Sequence, residues 1–406
     1  MRGSKATALR IAAGAAGCLA AGLAALALTG AGPFADDSDP FGALPGPPEC
    51  EPDSGAQAGR AGDAGEPLVA RRADGRLPVG FNDGAYLARQ ATPQESAAMQ
   101  RAAGSTIWRS VAQWQAMEPA PGSYDFATTD PVYCAALAAG IAPLFHITTT
   151  PEWAADPALP CRVRCVSPPL AEHYDSLRRF AAAIASRYPR SVAIEAWNEP
   201  NLHLFWERPD PARYVEVLRE IHAGVKAVDP DMPVLLGGLS PVASDDPATG
   251  DIALERFLAD AYGAGAASYI DAVNVHVYPS SAGDDPSAVL ERILGATRAA
   301  IAAGGGDATP RIWITELGVA AGPGVTREAQ ADQLATYYDL LDRAPDVDAV
   351  LIHTLVEPNS RIIGGDGYGW VAQRNAAGDF LPYPVLCRFA TLLAEPLDCA
   401  RPAPTG

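Results

Sequence analysis

The sequence predicts an α/β protein built on a TIM (β/α)8 barrel. Eight short apolar runs follow one another along the chain, and Ala-rich stretches of helical pattern separate them. Alternating strands and helices over roughly 330 residues fit this barrel, whose usual size is about 250 residues and which grows by loop insertions. A doubly wound sheet alternates in the same way, but its Gly-rich fingerprint does not follow the first apolar run.

The apolar runs have the length of buried strands, and the segments between them have the period of helices. In chain order the runs lie near Leu77, Ile107, Leu144, Ile194, Leu235, Val275, Ile314 and Ile352. Segments such as 170–188 and 327–344 carry apolar residues at spacings of three and four, which predicts amphipathic helices packed on the barrel.

The first 32 residues predict a signal peptide or a membrane anchor. Arg2, Lys5 and Arg10 precede an uncharged apolar stretch over residues 11–29, which is nearly long enough to span a bilayer. Residues 33–70 are rich in Gly, Pro and Ala without a hydrophobic period, which predicts a disordered linker before a barrel domain over 71–400. The protein is expected to be secreted or extracytoplasmic, either released or tethered to a membrane by residues 11–29.

The net charge narrows the classes of partner, and the cysteine content indicates disulfides. The formal net charge is -18, with 48 acidic and 30 basic residues. Such a surface repels phosphate backbones, so nucleic acid is not an expected partner.

Six cysteines follow the apolar stretch, an even number that suggests disulfides in an exported chain. Cys161 and Cys165 are close enough to close a small loop, and Cys387 and Cys399 flank the final helix-like stretch. Cys50 and Cys134 would then be left to pair, although six cysteines permit 15 connectivities.

Polar side chains mark the ends of the apolar runs. The carboxyl ends of barrel strands meet at one face, where the active sites of TIM barrels lie. The residues at these ends are Asn82, Asp83, Arg109, Trp114, His146, Asn198, Glu199, His276, Tyr278, Glu316, His353 and Glu357. Glu199 and Glu316 end the fourth and seventh runs, so a barrel would place the two carboxylates on opposite sides of one pocket.

Two carboxylates across a pocket suit the hydrolysis of a glycosidic bond. One protonates the leaving oxygen, and the other attacks the anomeric carbon or activates water. Carboxyl groups about 5 Å apart give retention through a covalent glycosyl-enzyme, whereas roughly 6.5–9.5 Å leaves room for a water and gives inversion. The residues alone leave the stereochemistry open.

Several motifs resemble those of the clan A retaining glycoside hydrolases. They are WNEPN at 197–201, ITELG at 314–318 and HVYP at 276–279. The segment RSVAQWQAMEPAPGSYDF at 109–126 is similar to one in family 39 and related exopolysaccharide hydrolases. The resemblance covers about residues 77–393. It implies an enzyme that cleaves O-glycosidic bonds in poly- or oligosaccharides by double displacement, without a cofactor or a metal.

The resemblance also implies a role for each matching residue. Glu199 would be the general acid/base and Glu316 the nucleophile, while Asn198 would bind the substrate 2-hydroxyl. Arg109 and Tyr278 would hold Glu316 ionised. Sugars stack on aromatic rings, and the further side chains expected to bind substrate are His146, His276, Trp114 and Trp370. The eighth run reads His-Thr-Leu and lacks the Trp that many clan members have there.

Three other functions are alternatives to hydrolysis by two carboxylates. The main alternative is a catalytically inactive carbohydrate-binding barrel at the cell surface. A metal-dependent barrel hydrolase would need a His-x-His on the first strand and a strand-end Lys, and the sequence has neither. A serine hydrolase would need a GxSxG elbow, which is also missing.

Overall fold

The computed structural model describes residues 41, 43–50, 68–82, 90–159, 161, 165–279, 283–304, 311–357, 367–394 and 396–405. Ala43 to Gly406 form one compact unit. The predicted signal or anchor segment, including residues 11–29, lies outside the described residues, as does Asp83. Within the part of the chain that is described, every helix is too short or too polar to cross a bilayer.

Eight parallel strands close into a barrel in chain order, which confirms the predicted fold class. The strands are β1 (Val79–Asn82), β2 (Ile107–Gln113), β3 (Ala142–Thr148), β4 (Ala193–Asn198), β5 (Val234–Gly238), β6 (Ala272–Val277), β7 (Arg311–Leu317) and β8 (Val347–Ile352). Each strand lies in or overlaps the apolar run that predicted it. β1 pairs with β8, so the sheet has no open edge.

Helices surround the barrel. They are α1 (Pro93–Ala102), α2 (Trp114–Met117), α3 (Asp130–Ala138), α4 (Tyr174–Arg187), α5 (Pro211–Val228), α6 (Leu254–Gly263), α7 (Pro286–Ala303), α8 (Arg327–Asp342) and α9 (Pro384–Leu393). The sequence specifies several of their first turns, because Thr92, Asp210, Asp285 and Thr326 cap backbone N–H groups with their side chains. At α1, Glu95 completes a capping box with Thr92.

An apolar layer fills the barrel interior beneath the polar strand ends. It includes Ile107 on β2 and Leu144 on β3, both fully buried. Side chains two residues apart share one face of a strand. Arg109 therefore follows Ile107 on the inner face of β2, and His146 follows Leu144 on the inner face of β3. The layer keeps water from reaching the polar groups from below.

Three disulfides join Cys50 to Cys134, Cys161 to Cys165, and Cys387 to Cys399, which is the pairing suggested from the sequence. The first of these corrects the predicted linker over 33–70 at residues 43–50 only, since most of the linker lies outside the described residues. Residues 43–50 are held on the barrel domain, because Cys50 is bonded to α3 and Arg187 donates to the Gly46 carbonyl at 2.6 Å. Val69 is also buried in the interior layer. The domain therefore includes chain that precedes residue 71.

Candidate active site

Glu199 and Glu316 face each other at the carboxyl end of the barrel. Glu199 directly follows β4, and Glu316 is the penultimate residue of β7. Their exposed fractions are 8% and 9%. One oxygen of each carboxylate and one ring nitrogen of His276 all lie within 4.8 Å of one another. This separation is close to the value of about 5 Å found where one carboxylate attacks carbon directly.

Arg109 joins four strands beneath this pair. Its Nε and Nη2 donate to Glu195 at 2.6 and 2.8 Å, Nη2 donates to Asn198 at 2.7 Å, and Nη1 donates to Asn82 and Glu316 at 2.9 Å each. All five guanidinium N–H groups are therefore used. Burial disfavours the charge, but the carboxylates of Glu195 and Glu316 outweigh it and raise the pKa of Arg109.

Glu316 is held as a carboxylate by donors on both of its oxygens. Oε1 accepts from Asn82 at 2.8 Å as well as from Arg109, and Oε2 accepts from the Tyr278 hydroxyl at 2.6 Å. Burial acts to raise the pKa of Glu316, but the positive charges of His276 and Arg109 outweigh it. With the hydrogen bond from Tyr278, they bring this pKa well below its usual value.

His276 lies between the two acidic groups. Its Nδ1 is 2.9 Å from Glu199 Oε1 and 3.7 Å from Glu316 Oε2, and the ring is fully buried. Burial lowers the pKa of His276, but the charge of Glu316 and the contact with Glu199 raise it overall. Gly238 at the end of β5 makes room for the ring, since a Cβ there would lie 2.2 Å from His276 Nε2.

The chain turns sharply where β4 ends. Trp197 and Glu199 have positive φ values of 83° and 42°, which are strained for residues with a Cβ. Trp197 Nε1 donates to the Phe205 carbonyl at 2.7 Å, and the Glu199 N–H donates to the Gly238 carbonyl at 2.9 Å. The buried Asn201 amide makes three hydrogen bonds to the backbone of the β5–α6 connection. These contacts hold Glu199 toward the barrel axis.

Two neutral imidazoles lie near Glu316. His146 on β3 is buried, and burial together with the charge of Arg109 lowers its pKa well below the usual value. Its Nδ1 has no hydrogen-bond partner among the described residues. His353 follows β8, with Nδ1 at 3.3 Å from Asn82, and burial lowers its pKa too. Both rings can hydrogen-bond a ligand without bringing charge.

The two tryptophans expected to bind sugar lie in the core instead, so this prediction is wrong. Trp114 and Trp370 are fully buried. Trp114 stacks on Phe180, and Trp370 packs on Phe81 and Phe389. Trp114 directly follows β2 and Trp370 lies in the connection after β8, but their rings turn outward between sheet and helices, where they offer no face to a ligand.

Two residues of the site were missed by the sequence reasoning. Glu195 is fully buried, and a charged residue inside an otherwise apolar strand was a usable signal. Tyr368 packs edge-on against Tyr278 and His353, with ring centroids 5.8 and 5.5 Å apart. It follows a long connection after β8, and no sequence pattern indicated where that connection returns to the site.

Glu199, His276 and Glu316 are also the one group in the described part of the chain with ligand atoms close enough to hold a metal ion. Arg109 places a positive charge 2.9 Å from Glu316, and Tyr278 donates to its other oxygen. A cation would have to displace these donors. The arrangement therefore suits reactions of the carboxylates themselves better than metal binding.

No protein-family model matches the chain, and no curated protein matches its sequence. Solved structures do share its fold. A family 39 glycoside hydrolase from Bacteroides cellulosilyticus WH2 matches with a TM-score of 0.62 and 20% identity, over 80% of this chain and 65% of that chain. The family 39 enzyme from Xanthomonas axonopodis pv. citri has a TM-score of 0.58 and 20% identity, over 81% and 67%.

A monomeric β-xylosidase from Caulobacter crescentus CB15 matches with a TM-score of 0.56 and 21% identity, over 81% of this chain and 69% of that chain. The chain spans slightly less than two thirds of the Bacteroides enzyme. At these identities the likeness establishes a common fold. The barrel described above is therefore the fold on which these glycosidases are built.

Proposed function

We propose that this protein is a retaining glycoside hydrolase that cleaves O-glycosidic bonds in poly- or oligosaccharides. The observation that carries the proposal is the pair of carboxylates, Glu199 and Glu316, with oxygens within 4.8 Å across the barrel end. That separation is close to the spacing of about 5 Å in retaining enzymes and below the roughly 6.5–9.5 Å of inverting ones, which favours double displacement over inversion. The common fold with family 39 glycosidases supports the same reaction class.

The two carboxylates take different roles because their surroundings differ. Glu316 is the nucleophile, since Arg109 and Tyr278 stabilise its ionised form. Its oxygen bonds to the anomeric carbon while Glu199 gives a proton to the leaving oxygen, and the glycosidic bond breaks. Glu199 then takes a proton from water, whose oxygen attacks the same carbon and releases Glu316. The sugar leaves with its original configuration.

Neighbouring side chains orient the sugar. Asn198 accepts from Arg109 through Oδ1, so its amide nitrogen is available to donate to the 2-hydroxyl. Nδ1 of His146 has no partner among the described residues and is placed to hydrogen-bond a further hydroxyl, whereas His276 hydrogen-bonds Glu199, the proposed acid/base. Tyr278 and Tyr368 supply aromatic surface in place of the buried tryptophans.

The test is chemical rescue. Glu316→Ala should reduce hydrolysis of an activated aryl-glycoside by at least about 10⁴-fold. Azide should restore turnover and give a glycosyl azide of inverted configuration, read by NMR. Glu220→Gln is the matched control, since Glu220 is another buried glutamate paired with an arginine but lies on α5. Full activity in Glu316→Ala contradicts the proposal, and binding of oligosaccharide without turnover by the wild type favours the inactive binding protein.

The proposed location is outside the cytoplasm. Three disulfides support it, because such bonds persist in oxidising compartments. The apolar stretch 11–29 would direct export and either be removed or remain as a tether. Fractionation of cells that express the full chain distinguishes released from membrane-bound protein, and recovery in the cytoplasm with free thiols would contradict both.

A further inference from the structure

Glu195 carries a charge in a place where charges are costly. It lies in the middle of β4, four residues before Glu199, and is fully buried. A buried carboxylate is retained only when it is paired and hydrogen-bonded. Oε2 accepts from Arg109, while Oε1 accepts from Arg109, from the Gly238 N–H at 3.0 Å and from the Thr315 hydroxyl at 3.4 Å.

This pairing fixes the direction of the Arg109 fork. A guanidinium is planar, so a two-point contact through Nε and Nη2 determines where its other N–H groups point. Two of the five N–H groups go to Glu195, and the other three go to Asn82, Asn198 and Glu316 on three different strands. The side chain of Glu195 does not itself contact the proposed substrate position. Through Arg109 it sets the positions of Asn198 and Glu316, which do.

We propose that Glu195 is a positioning residue of the active site, a buried counter-charge that aims Arg109 and keeps Glu316 reactive. Without the Glu195 charge, Arg109 would be balanced by Glu316 alone. The guanidinium would then hold Glu316 more tightly in its ionised state, and a more strongly stabilised carboxylate attacks carbon more slowly. The inference rests on the proposed function for its kinetic part only.

The charge of Glu195 also acts on the neighbouring titrating groups. Charged, titratable or polar groups face it from β2, β3, α5, β5, β6 and β7: Arg109, His146, Tyr214, the Gly238 N–H, His276, Thr315 and Glu316. Removing a negative charge from this set disfavours protonation of the rest. The pKa of His276, which neighbouring carboxylates raise, should therefore fall when Glu195 is neutralised.

Three variants distinguish the effect of the Glu195 charge from the effect of its side-chain length. Glu195→Gln removes the charge and keeps the length, Glu195→Asp keeps the charge and shortens the reach, and Glu220→Gln is the control at a buried ion pair away from the site. We expect kcat to fall on the order of 10- to 100-fold in both Glu195 variants, with KM little changed. Both limbs of the pH–rate profile should move down by about one pH unit in Glu195→Gln alone.

A titration of the six histidines by NMR measures the effect of the Glu195 charge on the pKa of His276 without an activity assay. The His276 midpoint should be lower in Glu195→Gln and close to wild type in Glu195→Asp and Glu220→Gln. Wild-type His276 titration and pH limbs in Glu195→Gln would overturn the inference, and so would unchanged kcat in Glu195→Asp if Glu195→Gln does not fold. A wild-type protein without glycosidase activity would refute the proposed function, while the titration would still decide the role of the Glu195 charge.

Discussion

Replacing Tyr278 by Phe tests the electrostatics assigned to the nucleophile. The hydroxyl donates to Glu316 Oε2 at 2.6 Å, and both groups are at the barrel end. A hydrogen bond to a charged group contributes about 1.5–3 kcal/mol. Because one pKa unit corresponds to about 1.36 kcal/mol, loss of the donor should raise the pKa of Glu316 by about 1–2 units.

The lowered pKa of Glu316 determines how activity and stability should change with pH. The pKa of Glu316 is depressed in the folded protein, so its ionisation stabilises the fold above the unfolded-state pKa, and this contribution is lost as pH falls through the folded-state pKa. In Tyr278→Phe the acid limb of kcat/KM should move to higher pH by about 1–2 units. The free energy of unfolding at pH 7 should fall by about 1.5–3 kcal/mol, and the loss should shrink on acidification.

The assay is a pH–rate profile with an aryl-glycoside, alongside urea unfolding at several pH values. Tyr174→Phe is the matched control, because the Tyr174 hydroxyl also donates to a carboxylate, Glu216 at 2.7 Å, between α4 and α5. The control should leave the acid limb unchanged. An acid limb that stays in place in Tyr278→Phe, or moves to lower pH, would refute the assignment of this hydrogen bond to the ionised nucleophile.

Four further outcomes are expected. Arg109→Met should lower the free energy of unfolding by about 3–5 kcal/mol in urea, since Glu195 loses its counter-charge, and a loss below about 1 kcal/mol would contradict this. Cys134→Ser opens a disulfide with a sequence separation of 84, so it should lower stability by up to about 4 kcal/mol while activity at 25 °C persists. Gly238→Ala should displace His276 and reduce kcat at least about 100-fold without altering the circular dichroism spectrum. Activity should survive EDTA, because protein donors already hydrogen-bond both oxygens of Glu316, the proposed nucleophile, and loss restored by added metal would contradict this.

The barrel could be predicted from the sequence because its signal is local. Each strand is a short apolar run, and most runs carry at their ends a polar side chain that must be paired or have a function. Glu199 and Glu316 stood out for this reason, and the structure brings them together. Arg109 was expected beside Glu316, and it lies there. Its additional pairing with Glu195 depends on contacts between different strands, which the sequence of one strand does not show.

The tryptophan predictions failed for a different reason. Trp114 directly follows β2 and Trp370 lies in the connection after β8, and sequence position does not determine which side of a connection faces inward. A large aromatic side chain gains more from full burial than from a half-exposed site, and both rings are buried. The predicted linker failed at residues 43–50 because a single covalent bond through Cys50 outweighs a composition that favours disorder.

The saturated guanidinium of Arg109 bears on which sugars suit this site. Uronic acids carry a carboxylate, and enzymes that select them need a cationic group with donors to spare. Each N–H of Arg109 already has a protein acceptor, and an incoming anion would meet the like charge of Glu316 nearby. Under the proposed function, Arg109 is therefore expected to favour neutral glycosides over acidic residues of a polysaccharide at this position.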